Sequence, residues 1–279
     1  MTGDEVTDQS RMVGGRDLRA AVVVGVVLAG VFLGSLFWRS EAFAAVIAVL
    51  AATAFVDAAQ VLRPVGVRLL TPVLVATAVV MMAATHEFGA SGQITAVGLL
   101  IAGSVVMLLA DAQRTDVVRT LATTLLFGLW VAFLASFGVV LILEDAGQVI
   151  VLGVVGAAIF TDIGGYAFGV AFGRHKVAPS ISPNKSWEGL LGGLLVSGTL
   201  GAFVLPIFGD TFTAVTGAIL AVTCGLASFA GDLTESMINR DLGVKDLGDL
   251  LPGHGGLLDR VDSILFALPV GYAVVVLLT

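Results

Sequence analysis

Nine stretches of roughly 20 mainly apolar residues follow one another along the chain, and nothing constrains its folding more. A segment of that length spans the hydrocarbon core of a bilayer as a helix. In lipid, a helix satisfies its own backbone N–H and C=O groups where an open loop would not. The stretches are 20–38, 42–62, 67–85, 93–110, 120–142, 149–172, 189–208, 211–230 and 261–279. With 57% hydrophobic and only 13% charged residues, too little polar surface exists to cover a water-exposed globule. The sequence predicts an all-α, polytopic integral membrane protein. Ala42-Phe43-Ala44 resembles a signal cleavage site, but the first apolar run is too long for a signal peptide, and Arg39 and Glu41 intervene. That run reads as a retained anchor.

Nine spans make the loops alternate between two sides, and the cations are sorted accordingly. Arg11, Arg16, Arg19, Arg63, Arg68, Arg114, Arg119, Arg174, Lys176, Lys185, Arg240, Lys245 and Arg260 fall on one side. Of the 14 Lys and Arg residues, Arg39 alone falls on the other. This is the positive-inside pattern. It predicts a cytoplasmic N-terminus, a C-terminus on the far side, and residence in the cell inner (plasma) membrane. The expected organisation is a cytoplasmic tail over 1–19, five helices over 20–142, and a C-terminal region over 149–279 with cytoplasmic loops 173–188 and 231–260. A net charge of −7 argues against nucleic acid as a partner. The single cysteine, Cys224, excludes an internal disulfide framework and a cysteine-based zinc cluster.

The first half carries few chemical groups. Asp57 and Asp111 fall near predicted cytoplasmic helix ends, where a carboxylate reaches water. His86 and Glu87 fall in a turn on the far side. The second half differs. Asp162 lies deep in the run VVGAAIFTDIGGYAFGVAFG, where a carboxylate costs about 2.5–3.5 kcal/mol at bilayer depth. It marks either a site or a helix end at Gly164-Gly165 with a polar cleft. Pro179 and Pro183 forbid a helix through 173–189, so that segment reads as an ordered loop. Its Ser180, Ser182, Lys185 and Glu188 around a proline turn suit phosphate oxygens, although its cations also satisfy the positive-inside pattern.

Residues 231–262 are the richest segment. Asp232, Glu235, Asp241, Asp246, Asp249, Asp259 and Asp262 gather a third of the chain's 21 acids beside Arg240, Lys245 and Arg260. Carboxylates without histidine or cysteine company select hard cations, Mg²⁺ first where a substrate brings phosphates. Pro252-Gly253-His254-Gly255-Gly256 is a turn whose successive N–H groups form an anion-binding nest or a plain turn. Carboxylates, cations and nest share one predicted face. That is equipment for phosphoryl or nucleotidyl transfer, which needs positioning and charge neutralisation. No GxxxxGK[ST], GxSxG or HExxH motif is present, which disfavours P-loop, serine-hydrolase and zincin chemistry.

At these residues the chain resembles the phosphatidate cytidylyltransferases, also called CDP-diacylglycerol synthases. The resemblance rests on Ser236, Arg240, Lys245, Asp246, His254, Gly255, Gly256, Asp259, Arg260 and Asp262, with ISPNKSWEG and TDIGGY upstream. It is strong over roughly 160–265. Asn239 and Asn184 stand where the family pattern has lysines, each removing a cation from the inferred phosphate site. The resemblance implies attack of phosphatidate on the α-phosphorus of CTP, with Mg²⁺ and a possible second, monovalent cation as cofactors and a homodimer as a possible assembly. It implies Asp232 and Asp259 as Mg²⁺ ligands, with Asp162, Asp246 and Asp249 as further candidates. Lys185, Arg240, Lys245 and Arg260 would contact phosphates, Lys245 and Arg260 at the reaction centre. The turn Gly253, His254, Gly255 and Gly256 would hold the triphosphate, and Ser180, Ser182 and Ser236 would hydrogen-bond at the rim. Two other classes fit the same residues. One is a transporter with a cytoplasmic metal site, suggested by Asp162 and the glycine-rich spans. The other is a different lipid-phosphate transferase or kinase.

Overall fold

Helices account for most of the computed structural model, which describes residues 12–13, 16–112, 115–250 and 255–278. Among the described residues they are α1 Leu18–Trp38, α2 Ser40–Leu62, α3 Thr71–Phe88, α4 Ala90–Ala110, α5 Val117–Leu143, α6 Gly147–Phe172, α7 Trp187–Phe208, α8 Ala214–Leu242 and α9 Leu258–Leu278. Eight are long and apolar enough to cross a membrane, and α1 adds a shorter apolar run, Val22–Trp38. The all-α polytopic expectation holds. Two small antiparallel ribbons decorate it, β1 Met12–Val13 with β2 Arg16–Asp17, and β3 Lys176–Ala178 with β4 Ser182–Ser186.

Several expected boundaries move, and each move has a local cause. Helix α3 begins at Thr71 rather than 67, because Pro72 in its first turn pre-sets a helical start, while Val67–Leu70 forms no helix. His86 and Glu87 belong to the last turn of α3 rather than to a loop, and His86 Nε2 lies 3.0 Å from Ser40 Oγ at the start of α2. The largest correction concerns α8. The falling hydropathy after residue 230 suggests an end there, but the helix continues to Leu242 and closes on Gly243 in a left-handed conformation (φ 67°). Polar side chains support the extension from within: Ser236 Oγ donates to Asp232 Oδ1 (3.4 Å) and Asn239 Nδ2 donates to Glu235 Oε1 (2.9 Å). Asp232, Glu235, Ser236 and Arg240 therefore sit on a helix face, not in a loop.

Two packing regimes follow. Helices α2 to α5 share an apolar core containing Phe55, Leu74, Met81 and Trp130, and this core also takes in Leu247, Leu257 and Leu258 from the segment between α8 and α9. Helices α6 to α9 pack closely on one another, with α6 against α7 through glycine. A Cβ added at Gly164 would lie 3.0 Å from the Cα of Gly193, and one added at Gly189 would lie 2.8 Å from the carbonyl oxygen of Gly165. Small residues allow this approach of two backbones, which in a membrane replaces hydrophobic drive.

Candidate active site

The site assembles where the β3–β4 hairpin, the last turns of α8 and the first turn of α9 meet. The hairpin turns at Pro179, with Ile181 N donating to Ala178 O (3.1 Å). It is fastened at its base by Glu188, whose carboxylate accepts from the amides of Arg174 and His175 and pairs with His175 Nδ1 at 2.5 Å. Ser186 caps α7 by accepting from Gly189 N (3.2 Å). Lys185, immediately before that cap, is thereby aimed inward. Its Nζ lies 2.6 Å from Asp232 Oδ2 and 4.6 Å from the centre of the Phe229 ring. The glycine contacts between α6 and α7 bring Asp162 to the same place. Asp162, Tyr166, Lys185 and Asp232 line a cavity of about 340 Å³, together with Thr161, whose buried Oγ1 has no hydrogen-bond partner among the described residues.

Behind Asp232 lies a cluster of three carboxylates. Asp232, Glu235 and Asp262 bring carboxylate oxygens within 4.8 Å of one another, and Glu235 and Asp262 are buried at 7% and 5% exposure. Helical spacing explains the geometry. Asp232 and Glu235 are one turn apart on α8, and Asp262 faces them from α9, where Gly231 lets the helices touch: a Cβ there would lie 2.8 Å from Asp262 O. Buried carboxylates are paired or coordinate a metal. Lys185 offsets one of the three charges, and a divalent cation would offset the other two. An all-oxygen donor set of this kind suits a hard cation, so the cluster could hold a metal ion.

The remaining expected residues are distributed as follows. Asp259 adjoins the trio through Glu235, within hydrogen-bonding reach, but its own oxygens are turned to backbone: Oδ1 accepts from Leu247 N (2.8 Å) and Oδ2 from Gly256 N (2.8 Å). The amide of Gly256 is therefore directed at Asp259 rather than outward as a nest would require. Gly255 adopts φ 81°, and the Asp246 side chain lies beside it. Gly253 and His254 lie outside the described residues. Asp249 is exposed at the start of the same turn, and Lys245 is exposed just after α8. Arg240 Nε donates to Ile181 O (3.4 Å), tying α8 to the hairpin. Ser182 is half-buried on β4, Ser180 is exposed at the hairpin tip, and Arg260 is exposed on the first turn of α9.

Three residues take positions that the sequence reading did not give them. Glu235 and Asp262 join the acid trio, and the signal was available in the i, i+3 spacing of Asp232 with Glu235 and of Asp259 with Asp262. Asp57 is the third and a correction. It is buried at 5% exposure rather than open to water, and its Oδ1 accepts from Asp249 N at 2.9 Å. No local pattern announces a partner 192 residues away.

Comparison with known proteins shows the family of the chain. A model of the cytidylyltransferase family matches residues 19–278. A phosphatidate cytidylyltransferase of Mycobacterium bovis is 36% identical over 287 aligned positions, covering 98% of this chain and 92% of the relative. The protein of that name from Mycobacterium tuberculosis (strain H37Rv) is 36% identical over 98% of this chain and 86% of its own length. One from Haemophilus influenzae is 47% identical over 112 residues, 39% of each chain.

Proposed function

Because the chain belongs to the cytidylyltransferase family, we propose that it transfers the cytidylyl group of CTP to phosphatidate, releasing diphosphate and leaving CDP-diacylglycerol in the membrane. The observation that carries this reading is the carboxylate trio with Lys185 at the edge of a polar cavity. Both reactants are anions, so bringing them together is the obstacle, and positioned charge is the remedy. A phosphate monoester has its second pKa near 6, so the lipid phosphate attacks as an anion and needs no general base. One of its oxygens bonds to the α-phosphorus of CTP. The bond from that phosphorus to the bridging oxygen breaks, and the electron pair leaves with diphosphate.

Asp232, Glu235 and Asp262 would hold a divalent cation, Mg²⁺ being the natural choice beside phosphates, and when bound it would neutralise developing charge on the transferred group. Asp259 would fix the loop that meets the triphosphate while bordering the same cluster. Lys185, Arg240, Lys245 and Arg260 would contact phosphate oxygens, with Lys185 nearest the reacting atoms. An apolar groove lined by Leu28, Phe32, Ile47, Ile264 and Arg260 supports lateral approach of the acyl chains. The cations of the loops at this end support a cytoplasmic orientation in an inner membrane.

The test is incorporation of labelled CTP into lipid by the purified protein, with phosphatidate present and Mg²⁺ supplied or chelated. The expected result is Mg²⁺-dependent label in the lipid phase with equal release of diphosphate. CTP left intact, or release of CDP with only a further phosphate added to the lipid, would overturn the reading.

A further inference from the structure

The segment between α8 and α9 is held by two carboxylates from opposite halves of the chain. Asp259, on α9, accepts from the amides of Leu247 and Gly256 at 2.8 Å each. Asp57, on α2, accepts from Asp249 N at 2.9 Å through Oδ1 and from Leu257 N at 3.3 Å through Oδ2. Each carboxylate thus bridges the outgoing leg of the segment (247–249) to its returning leg (256–257). The four amides interleave: Asp259 takes 247 and 256, Asp57 takes 249 and 257.

Three further observations show how closely the Asp57 side is fitted. Asp57 lies within α2 and is buried at 5% exposure, where a carboxylate needs such donors to be tolerated. Gly248 lies directly against it, and an added Cβ would run into the Asp57 carboxylate while lying 2.7 Å from the Cα of Gly256. Leu247 and Leu257, which flank these amides, are buried in the same apolar core as Phe55 and Ala58 of α2. The segment's two legs are therefore packed on the N-terminal helices and hydrogen-bonded to them at one residue.

We propose that Asp57 is a positioning residue for the site: by fixing the legs 247–249 and 256–257 beside Asp259, it sets affinity for the triphosphate without touching it. The inference rests on the cytidylyltransferase reading, which brings the triphosphate of CTP beside these legs. It gives the N-terminal helices a part in the reaction that their apolar composition conceals.

The experiment uses the full-length purified protein and the variants Asp57→Asn, Asp57→Glu and Gly248→Ala, with CTP and phosphatidate varied separately. In Asp57→Asn the remaining oxygen keeps one neutral hydrogen bond while the NH2 faces the other leg's N–H donor to donor, so the KM for CTP should rise by about tenfold or more. The KM for phosphatidate should rise less than that for CTP, because of these legs only Leu257 borders the apolar groove. Asp57→Glu should recover part of the CTP affinity, and Gly248→Ala, which disturbs the same contact from the loop side, should show the same selective rise. Amide hydrogen exchange read on peptides covering 247–257 should quicken in Asp57→Asn while the hairpin 176–186 is unchanged. Loss of kcat in proportion to misfolded protein, with the CTP KM unchanged in all folded variants, would overturn the inference, as would unchanged exchange over 247–257. Failure of the unaltered protein to consume CTP would instead refute the assigned reaction, and exchange over 247–257 would still judge the clamp.

Discussion

Helices α2 to α5 and helices α6 to α9 solve the problem of packing in a membrane by different means. The first group interdigitates large and medium apolar side chains, with Phe55, Leu74, Met81 and Trp130 at its centre. The second brings backbones together over glycine, at Gly164 with Gly193, Gly165 with Gly189 and Gly201 with Gly217. The difference is one of purpose. Side-chain packing fills space and tolerates small shifts, whereas backbone contact leaves no slack and fixes directions. Reactive groups belong on the second kind of support, and the acid trio and Lys185 are found there. Inside the first set Gln93 Nε2 donates to Ser136 Oγ at 2.8 Å, whereas the buried Thr85 Oγ1 and Trp130 Nε1 have no hydrogen-bond partner among the described residues.

The sharpest test of this division compares one substitution in each region. Asp262→Asn keeps volume and removes one charge from the trio, so kcat should fall on the order of 10²–10³-fold with little change in thermal stability. The concentration of Mg²⁺ needed for half-maximal rate should rise as well. Leu74→Ala, in the N-terminal core at 0% exposure, should do the reverse: thermal stability drops by about 2–5 kcal/mol, while KM and kcat of the remaining folded protein are retained. Activity assays and thermal unfolding on both variants check the pair. An Asp262→Asn protein with full activity would remove the trio from the chemistry.

Lys185 ranks next. Its ammonium is held by Asp232 at 2.6 Å over the Phe229 ring, a geometry for a compact point charge rather than a planar fork. Lys185→Met should lower kcat/KM by about 10²-fold, since it leaves Asp232 without its cation as well as removing a phosphate contact. Lys185→Arg should recover little, because the guanidinium is wider and differently hydrated. Recovery of full kcat/KM by arginine would mean that only net charge matters at this position.

How much of this was legible in the sequence differs between the two regions for the same physical reason. Approximate span positions follow from apolar length, because lipid admits few alternatives, although among the described residues eight rather than nine helices are long and apolar enough to cross a membrane. The end of α8 was not legible: hydropathy falls at residue 231 although the helix continues, since its polar face is turned to α9 and the site rather than to lipid. Asn239 illustrates the cost. Assigned to a loop, it reads as a lost cation at the phosphate site. On the helix it is buried, donates to Glu235 Oε1 and to Lys245 O (3.3 Å), and links the acid trio to the turn after α8. The site residues themselves were visible as types and as a cluster. Their division of labour was not, because which oxygen faces a backbone amide and which faces another carboxylate is set by helix rotation. Asp57 lay furthest from reach, its partners being 192 and 200 residues away.

The smallest effects separate the two kinds of packing most cleanly, because they use the same chemical change. A methyl group at Gly193 would strike the Thr161 carbonyl of α6, and that contact is backbone, which cannot turn aside as a side chain can. Gly193→Ala should therefore force α6 and α7 apart, costing about 1–3 kcal/mol. The same separation moves Asp162 and Thr161 away from Lys185, so kcat/KM should fall with stability. At Gly98 of α4 nothing lies within 4 Å of an added Cβ. Gly98→Ala should change stability by less than about 0.5 kcal/mol and leave kcat/KM unaltered. Thermal unfolding and CTP turnover measured on the two proteins side by side decide the matter. Equal, small effects at both positions would show that the α6–α7 interface yields as readily as the N-terminal core, and that the rigidity assigned to glycine contact is not what aims Lys185.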